Sequence, residues 1–139
     1  MSVKFLLDTN VISEMTKASP DHGVEERIRV HDVSCAICAP TIEELAFGIA
    51  RLPASRKRDL LKWWLDGVVA RFTLLPYDPR CALWLGRERA RLTGNGHIAP
   101  RADGEIASVA VVNDLVLVTR NTADFQNFAD LKMENWFKD

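Results

Sequence analysis

The fold of this chain follows from the stretch Val3-Lys4-Phe5-Leu6-Leu7-Asp8-Thr9-Asn10. Residues 3–7 form a short apolar run typical of a buried strand, and the three residues after it favour turns and helix starts. In open sheets of parallel strands, ligands bind beyond the carboxyl ends of the strands. The stretch therefore predicts that Asp8 lies at the edge of the sheet where such a site forms.

The rest of the chain alternates strand-like apolar runs with helical patterns. Further strands are predicted at residues 33–38, 72–75 and 115–119, with an edge strand within 131–137. Helices are predicted at residues 24–31, 41–50, 55–72, 79–92, 102–112 and 122–128, with a glycine-containing loop at 93–97. Strands that are apolar on both sides and alternate with helices indicate an α/β fold, a central and mainly parallel sheet flanked by helices on both faces. We expect residues 1–139 to form a single domain.

Composition and charge narrow the class of protein. No apolar run approaches the roughly 20 residues of a membrane-spanning helix, and the N-terminus lacks a secretory signal pattern, so a cytoplasmic protein is expected. The net charge is −1, but residues 54–101 contain ten Lys and Arg against four acids. This basic segment suits a polyanionic substrate, although two solvated helix faces explain it equally well.

The three cysteines, Cys35, Cys38 and Cys81, are expected to be free thiols. An odd number of cysteines in a chain without a secretion signal argues against disulfides. Cys35 and Cys38 have the spacing of a redox or zinc motif, but residues three apart on a strand point to opposite faces. A structural role in the core is therefore predicted.

Four acids fall where a predicted strand ends or a predicted helix begins. They are Asp8, Glu44, Asp103 and Asp124. The carboxyl ends of parallel strands share one edge of a sheet, so this topology can bring all four together. Each acid also has an ordinary explanation: Asp8, Asp103 and Asp124 suit helix N-termini. Glu44 stands three residues after Thr41, which is the spacing of a capping box.

A cluster of carboxylates favours a bound cation, because like charges at close range repel one another. Mg²⁺ and Mn²⁺ prefer oxygen ligands and keep waters and phosphate oxygens among them. Such an ion lowers the pKa of a water molecule and neutralises charge that develops at phosphorus. The four acids together thus suit phosphodiester hydrolysis.

Four segments of the chain carry a resemblance to one family, at residues 5–14, 41–48, 103–107 and 118–125. They contain an Asp-Thr-Asn signature, a Thr-x-x-Glu-Leu pattern, an Asp-x-x-Ile-Ala pattern and a final Thr-x-Asn-x-x-Asp-Phe pattern. In these segments the chain resembles the PIN-domain nucleases of the VapC type, toxins of bacterial type II toxin–antitoxin pairs, and most of all their FitB-like branch. The likeness runs nearly end to end and implies a ribonuclease that depends on Mg²⁺, with Mn²⁺ able to substitute.

The resemblance also implies roles for individual residues. The metal-binding core is Asp8, Glu44 and Asp103, with Asn10 and Thr119 as supports that hold the carboxylates by hydrogen bonds. Several relatives have an Asp where this chain has Asn121, and Asp124 lies three residues further on. Either Asp124, as a fourth carboxylate, or Asn121, as a neutral group that orients water, completes the site.

The sequence also leads to predictions about binding partners and about alternative functions. The resemblance implies a homodimer and a small DNA-binding antitoxin, so that DNA is contacted only through the antitoxin. A haloacid-dehalogenase-like phosphatase needs an Asp where Asn10 stands, and a response-regulator receiver needs a Lys where Arg120 stands, so both fit poorly. The remaining alternative is a non-catalytic PIN-fold module that binds an antitoxin or RNA. Trp63 and Trp64 cannot both face the core, so one of them is a candidate for a dimer or antitoxin surface.

Overall fold

The computed structural model describes residues 2–138, in which five strands alternate with helices. The strands are β1 (Phe5–Leu7), β2 (Cys35–Cys38), β3 (Thr73–Leu75), β4 (Val116–Val118) and β5 (Lys132–Glu134). The α-helices are α1 (Thr9–Glu14), α2 (His22–His31), α3 (Ala39–Ala50), α4 (Arg56–Arg71), α5 (Pro79–Gly94), α6 (Arg101–Val112) and α7 (Thr122–Phe125). A 3₁₀ turn at Asp32–Ser34 precedes β2.

The five strands form one sheet in the order β3-β2-β1-β4-β5, and every neighbouring pair is parallel. The central strand β1 pairs with β2 on one side and with β4 on the other. The chain therefore leaves β1 in one direction and later returns on its opposite side, which opens a crevice at the carboxyl ends of β1 and β4. This confirms the predicted α/β fold, including the edge strand in the tail.

Helices cover both faces of the sheet, and each face has its own core. Leu6 and Leu117 belong to a cluster formed with α5 and α6. Leu7 and Val118, the next residue of each strand, pack with α1, α2, α3 and α4 on the other face. Side chains along a strand alternate between the two faces of the sheet. Because each face has its own core, apolar residues occupy consecutive positions.

The cysteines have the predicted structural role. All three are free and buried. Cys35 packs in one core and Cys38 in the other, so their sulfurs lie on opposite faces of the sheet. Burial raises the pKa of the Cys35 thiol to about 12, which keeps it protonated and unreactive at neutral pH.

The predicted capping box at the start of α3 is wrong. The helix begins at Ala39 with Cys38 in the capping position, and Pro40 lies in its first turn. Pro40 lacks an N–H and has a φ suited to the first turn, so the helix starts before Thr41. Thr41 is fully buried, with its hydroxyl 3.5 Å from the Cys38 sulfur. Glu44 therefore lies in the second turn and does not serve a cap.

Two other helix ends also differ from the predictions. Helix α5 continues to Gly94, because the N–H of Asn95 still bonds to the carbonyls of Arg91 and Leu92. Helix α7 ends at Phe125 instead of residue 128, since the N–H of Phe128 bonds three residues back, to Phe125. A hydrogen bond to the residue three positions back forms a turn, whereas an α-helix has bonds four positions back.

The two tryptophans of α4 face different directions, as predicted. Trp63 is 76% exposed, whereas Trp64 is half-buried and packs against the core. None of the helices within residues 2–138 has the length and apolar character to cross a membrane.

Candidate active site

Asp8 lies at the crevice between the carboxyl ends of β1 and β4, where the order of the strands along the chain reverses. It follows β1 directly and caps the N-terminus of α1, and its backbone N–H donates to the carbonyl of Val118 at the end of β4. Its side chain is only 6% exposed. The β1–α1 junction therefore holds a nearly buried carboxylate between the two central strands.

Three donors fix the carboxylate of Asp8. Its Oδ1 accepts a 2.8 Å hydrogen bond from the backbone N–H of Thr9. Its Oδ2 accepts 2.7 Å from the hydroxyl of Thr119 and 3.1 Å from the side-chain amide of Asn10. Both oxygens are thus held at defined positions.

Asn10 and Thr119 are themselves fixed by the backbone that follows β4. The side-chain carbonyl of Asn10 accepts from the N–H of Arg120 at 3.2 Å, and the hydroxyl of Thr119 accepts from the N–H of Asn121 at 3.1 Å. Both residues contact Asp8 in the manner that a supporting role requires. Their contribution to activity stays a prediction.

Glu44 and Asp103 reach the same site from two helices. Glu44 projects from the second turn of α3, and its Oε1 accepts a 3.3 Å hydrogen bond from the hydroxyl of Thr9. Asp103 lies in the first turn of α6. With Asp8 they line an open depression of about 380 Å³, and its complete lining is Asp8, Thr9, Asn10, Ser13, Glu44, Asp103, Asn121, Asp124 and Phe125.

Three acids of this depression, Asp8, Glu44 and Asp103, have a raised pKa. Burial is the main cause for Asp8, Glu44 and Asp103. The charge of Asp8 raises the pKa of Glu44 and of Asp103 further, and Asp124 raises that of Asp8 and Asp103. For Asp8 the three hydrogen bonds partly offset the effect of burial. The four acids therefore form one electrostatically coupled negative cluster.

The donor set of this cluster suits a hard divalent cation. No Lys, Arg or His in residues 2–138 forms an ion pair with any of the four acids, so the negative charge has no protein counterion there. In the same residues, no three His, Cys, Asp or Glu side chains are close enough to hold one ion as they stand. Glu44 and Asp103 are more exposed than Asp8, and holding one ion would require their side chains to turn towards it.

Asp124 and Asn121 both line the depression, but they differ in what they contribute. Asp124 is exposed in the short helix α7, and its charge acts on Asp8 and Asp103. Asn121 precedes α7 and makes no side-chain capping bond, so its amide is available at the rim. Electrostatic coupling favours Asp124 as the fourth acid.

Thr9 is a site residue to which sequence reasoning assigned no role. Its backbone N–H bonds to Asp8 and its hydroxyl to Glu44, so it links two acids that lie 36 residues apart in the chain. The position of Thr9 directly after Asp8 could have indicated this role. A hydroxyl at the first residue of α1 can reach a side chain of the helix that packs beside it, which is α3.

Comparison with known families agrees with this geometry. The sequence pattern of the PIN domain family matches residues 5–131, a span that contains every acid of the cluster. The chain belongs to the PIN domain family. The five-stranded parallel sheet is therefore that of a PIN domain.

Individual relatives refine the assignment of this PIN domain. It is 34% identical over 125 residues to the VapC ribonuclease Y4jK of Sinorhizobium fredii, covering 87% of this chain and 89% of the relative. It is 33% identical over 134 residues to the tRNA(fMet)-specific endonuclease VapC of Shigella flexneri, covering 96% and 98%. The DNA-bound VapBC structure from Salmonella typhimurium superposes with a TM-score of 0.84 at 28% identity, covering 96% and 98%. The prediction of a VapC-like toxin is confirmed.

Proposed function

We propose that this VapC-like protein is a Mg²⁺-dependent ribonuclease and the toxin of a type II toxin–antitoxin pair, with Mn²⁺ able to replace Mg²⁺. One observation carries the proposal: the Asp8 carboxylate, fixed by three donors, shares a depression with Glu44 and Asp103 and forms no ion pair with any Lys, Arg or His of residues 2–138. Relatives at 33–34% identity are named as ribonuclease and endonuclease, which supports the same activity.

Asp8, Glu44 and Asp103 are the residues that would hold the ion. A carboxylate has about four lone-pair positions, and three of those on Asp8 already accept hydrogen bonds. The remaining position is on Oδ1, which accepts only from Thr9. Asp8 thus offers one oriented oxygen without rearrangement, and the other two acids supply theirs by rotation.

When bound, Mg²⁺ supplies a water of lowered pKa and positive charge beside the scissile phosphate. The chain's own groups act around that chemistry. Asp124 adds a fourth negative charge at the open side of the depression. The amide of Asn121 lies at the same rim and can hydrogen-bond a water or a phosphate oxygen. We propose Asp124 as the fourth acid and Asn121 as a neutral group beside the substrate.

We propose RNA as the substrate and the cytoplasm as its location. The basic segment 54–101 includes α4 and α5, and most of its Lys and Arg side chains are exposed. These charges offset the repulsion between an RNA backbone and the acidic cluster. Since the Shigella relative is named for tRNA(fMet), this tRNA is the first RNA to test.

We also propose a homodimer and a cognate antitoxin that binds DNA, so that the toxin meets DNA only through its partner. A VapBC complex from Salmonella typhimurium has been solved bound to DNA, which supports a protein partner and a connection to DNA. Trp63, exposed on α4, offers apolar surface for such contacts. A small reading frame for a DNA-binding protein beside this gene, whose expression relieves growth inhibition, is the expected genetic finding.

The purified full-length protein tests the activity directly. It is incubated with tRNA(fMet) and a panel of structured RNAs, in Mn²⁺, in Mg²⁺ and in EDTA. We expect cleavage of at least one RNA with either cation and none in EDTA. If the protein binds RNA or the antitoxin but cuts nothing in any cation, the non-catalytic module is the correct alternative.

A further inference from the structure

Residues 135–138, the last ones that the structure describes, form a strap that packs against α2. The Trp136 ring is 3% exposed and packs edge-on against Phe5 with a 5.1 Å centroid distance. The N–H of Lys138 donates to both oxygens of Asp21, at 3.1 and 3.2 Å. A Cβ on Gly23 would clash with the Trp136 carbonyl, so the strap lies against bare backbone there.

The same strap contacts the backbone segment that holds Asp8. The Arg120 guanidinium lies over the Phe137 ring, 4.6 Å from its centroid. The backbone N–H of Arg120 donates to the Asn10 side-chain carbonyl at 3.2 Å, and the Asn10 amide donates to Asp8 at 3.1 Å. A continuous path of contacts therefore runs from the ring of Phe137 through Arg120 and Asn10 to the carboxylate of Asp8.

The orientation of the Asn10 side chain depends on this path. A side-chain amide has one accepting oxygen and one donating nitrogen, and only one of its two flips places the nitrogen at Asp8. The bond from the Arg120 N–H to the oxygen favours that flip, together with the bonds that the amide nitrogen donates to Asp8 and Thr119. The backbone position of Arg120 thus contributes to the orientation of Asn10, and through it to that of Asp8.

We propose that Phe137 and Arg120 are positioning residues for the acidic site. The ring of Phe137 holds the Arg120 side chain from outside, which keeps the Arg120 N–H aimed at Asn10. Partners that orient a ligand by hydrogen bonds contribute to metal affinity although they do not touch the ion. The expected effect on cation binding rests on the proposed function. The expected effect of Phe137 on the position of the Arg120 backbone N–H does not rest on it.

The test compares Phe137→Ala with Phe137→Tyr, which keeps the ring face, and with the control Arg27→Gln. Arg27 lies over the Trp136 ring at 6.0 Å, so its loss removes a cation–π contact of the same strap away from the site. Hydrogen exchange of the Arg120 backbone amide is measured without metal, and the Mn²⁺ dissociation constant by titration. We expect Phe137→Ala to exchange faster and to bind Mn²⁺ about threefold more weakly, less than the roughly 10–100-fold typical of direct hydrogen-bond partners.

Phe137→Tyr and Arg27→Gln are expected to match the wild type in both measurements. If Phe137→Ala does not fold, Arg120→Gln replaces it, because that variant removes the cation and keeps the ring in place. Unchanged exchange and unchanged Mn²⁺ affinity in a folded variant overturn the proposal. A wild type without saturable Mn²⁺ binding contradicts the proposed function instead, and the exchange rates then still decide the role of the strap.

Discussion

Thr119, directly after β4, donates a 2.7 Å hydrogen bond to Asp8, directly after β1. The same hydroxyl oxygen accepts from the backbone N–H of Asn121 at 3.1 Å. Thr119 is fully buried, and so is its bond to Asp8. One side-chain oxygen therefore joins the ends of the two central strands at the candidate active site.

Replacing Thr119 tests this junction. In Thr119→Val, the Asn121 N–H loses its acceptor and Asp8 loses its shortest hydrogen bond. A buried group left unpaired costs about 1–3 kcal/mol of unfolding free energy. We expect a loss of that size in urea unfolding, together with weaker RNA cleavage. Thr119→Ser keeps the hydroxyl and serves as the control; equal behaviour of the two variants would show that the bond is unimportant.

Glu43 and Glu44 provide a matched pair of neighbours on α3. Glu44 lines the acidic depression and accepts a hydrogen bond from Thr9, whereas Glu43 is not part of the lining of that depression. We expect Glu44→Gln to lower the rate of RNA cleavage by about 100-fold or more, because direct metal ligands matter at least as much as their outer partners. Glu43→Gln is expected to retain wild-type cleavage. If Glu43→Gln lowers cleavage more than Glu44→Gln does, Glu43 and not Glu44 belongs to the site.

The charge of Asp103 is expected to destabilise the metal-free protein at neutral pH. Burial, then the charges of Asp8 and Asp124, raise the pKa of Asp103 above its ordinary value of 3.8. A carboxyl with a raised pKa in the folded state takes up protons on folding, so its contribution to stability is lost as the pH rises through that folded pKa. In EDTA, Asp103→Asn should therefore unfold at a higher urea concentration than the wild type at pH 7.

This advantage should shrink as the pH falls below neutral, since Asp103 becomes increasingly protonated and then carries no more charge than Asn. Asp66→Asn, which removes an exposed acid of α4, controls for the change in net charge. An advantage of Asp103→Asn that grows at low pH would contradict the coupled acidic cluster.

The fourth acid is tested by Asp124→Asn and Asn121→Ala. Asp124 acts electrostatically on Asp8 and Asp103, whereas Asn121 supplies only a neutral amide at the rim. We expect Asp124→Asn to weaken Mn²⁺ binding and RNA cleavage more than Asn121→Ala does, in assays at equal RNA concentration. If Asn121→Ala is the more damaging change, the amide and not the acid completes the site.

The order of strands and helices could be predicted from the sequence because its signals are strong. The apolar run before Asp8 and the one before Thr119 are short, uninterrupted and followed by polar residues. Such runs are buried on both faces, which requires parallel strands covered by helices. Asp8 and Thr119 could thus be placed at one edge of the sheet, at the carboxyl ends of their strands.

Other features depend on packing that no local pattern reveals. The N-cap of α3 was predicted at Thr41, three residues later than the observed Cys38, because Pro40 permits an earlier first turn and Thr41 is buried instead of capping. The bond between Thr9 and Glu44 depends on how α1 packs against α3. The contact of Phe137 with Arg120 joins residues far apart in the chain, and only the folded tail brings them together.

Asp8 is proposed here as the centre of a metal-dependent ribonuclease site. The most direct measurement compares RNA cleavage by the wild type and by Asp8→Asn in Mg²⁺, with circular dichroism to verify that both are folded. We predict cleavage by the wild type in Mg²⁺ but not in EDTA, and no cleavage by the folded Asp8→Asn variant. Full cleavage by that variant, in a preparation free of contaminating nuclease, would contradict the account.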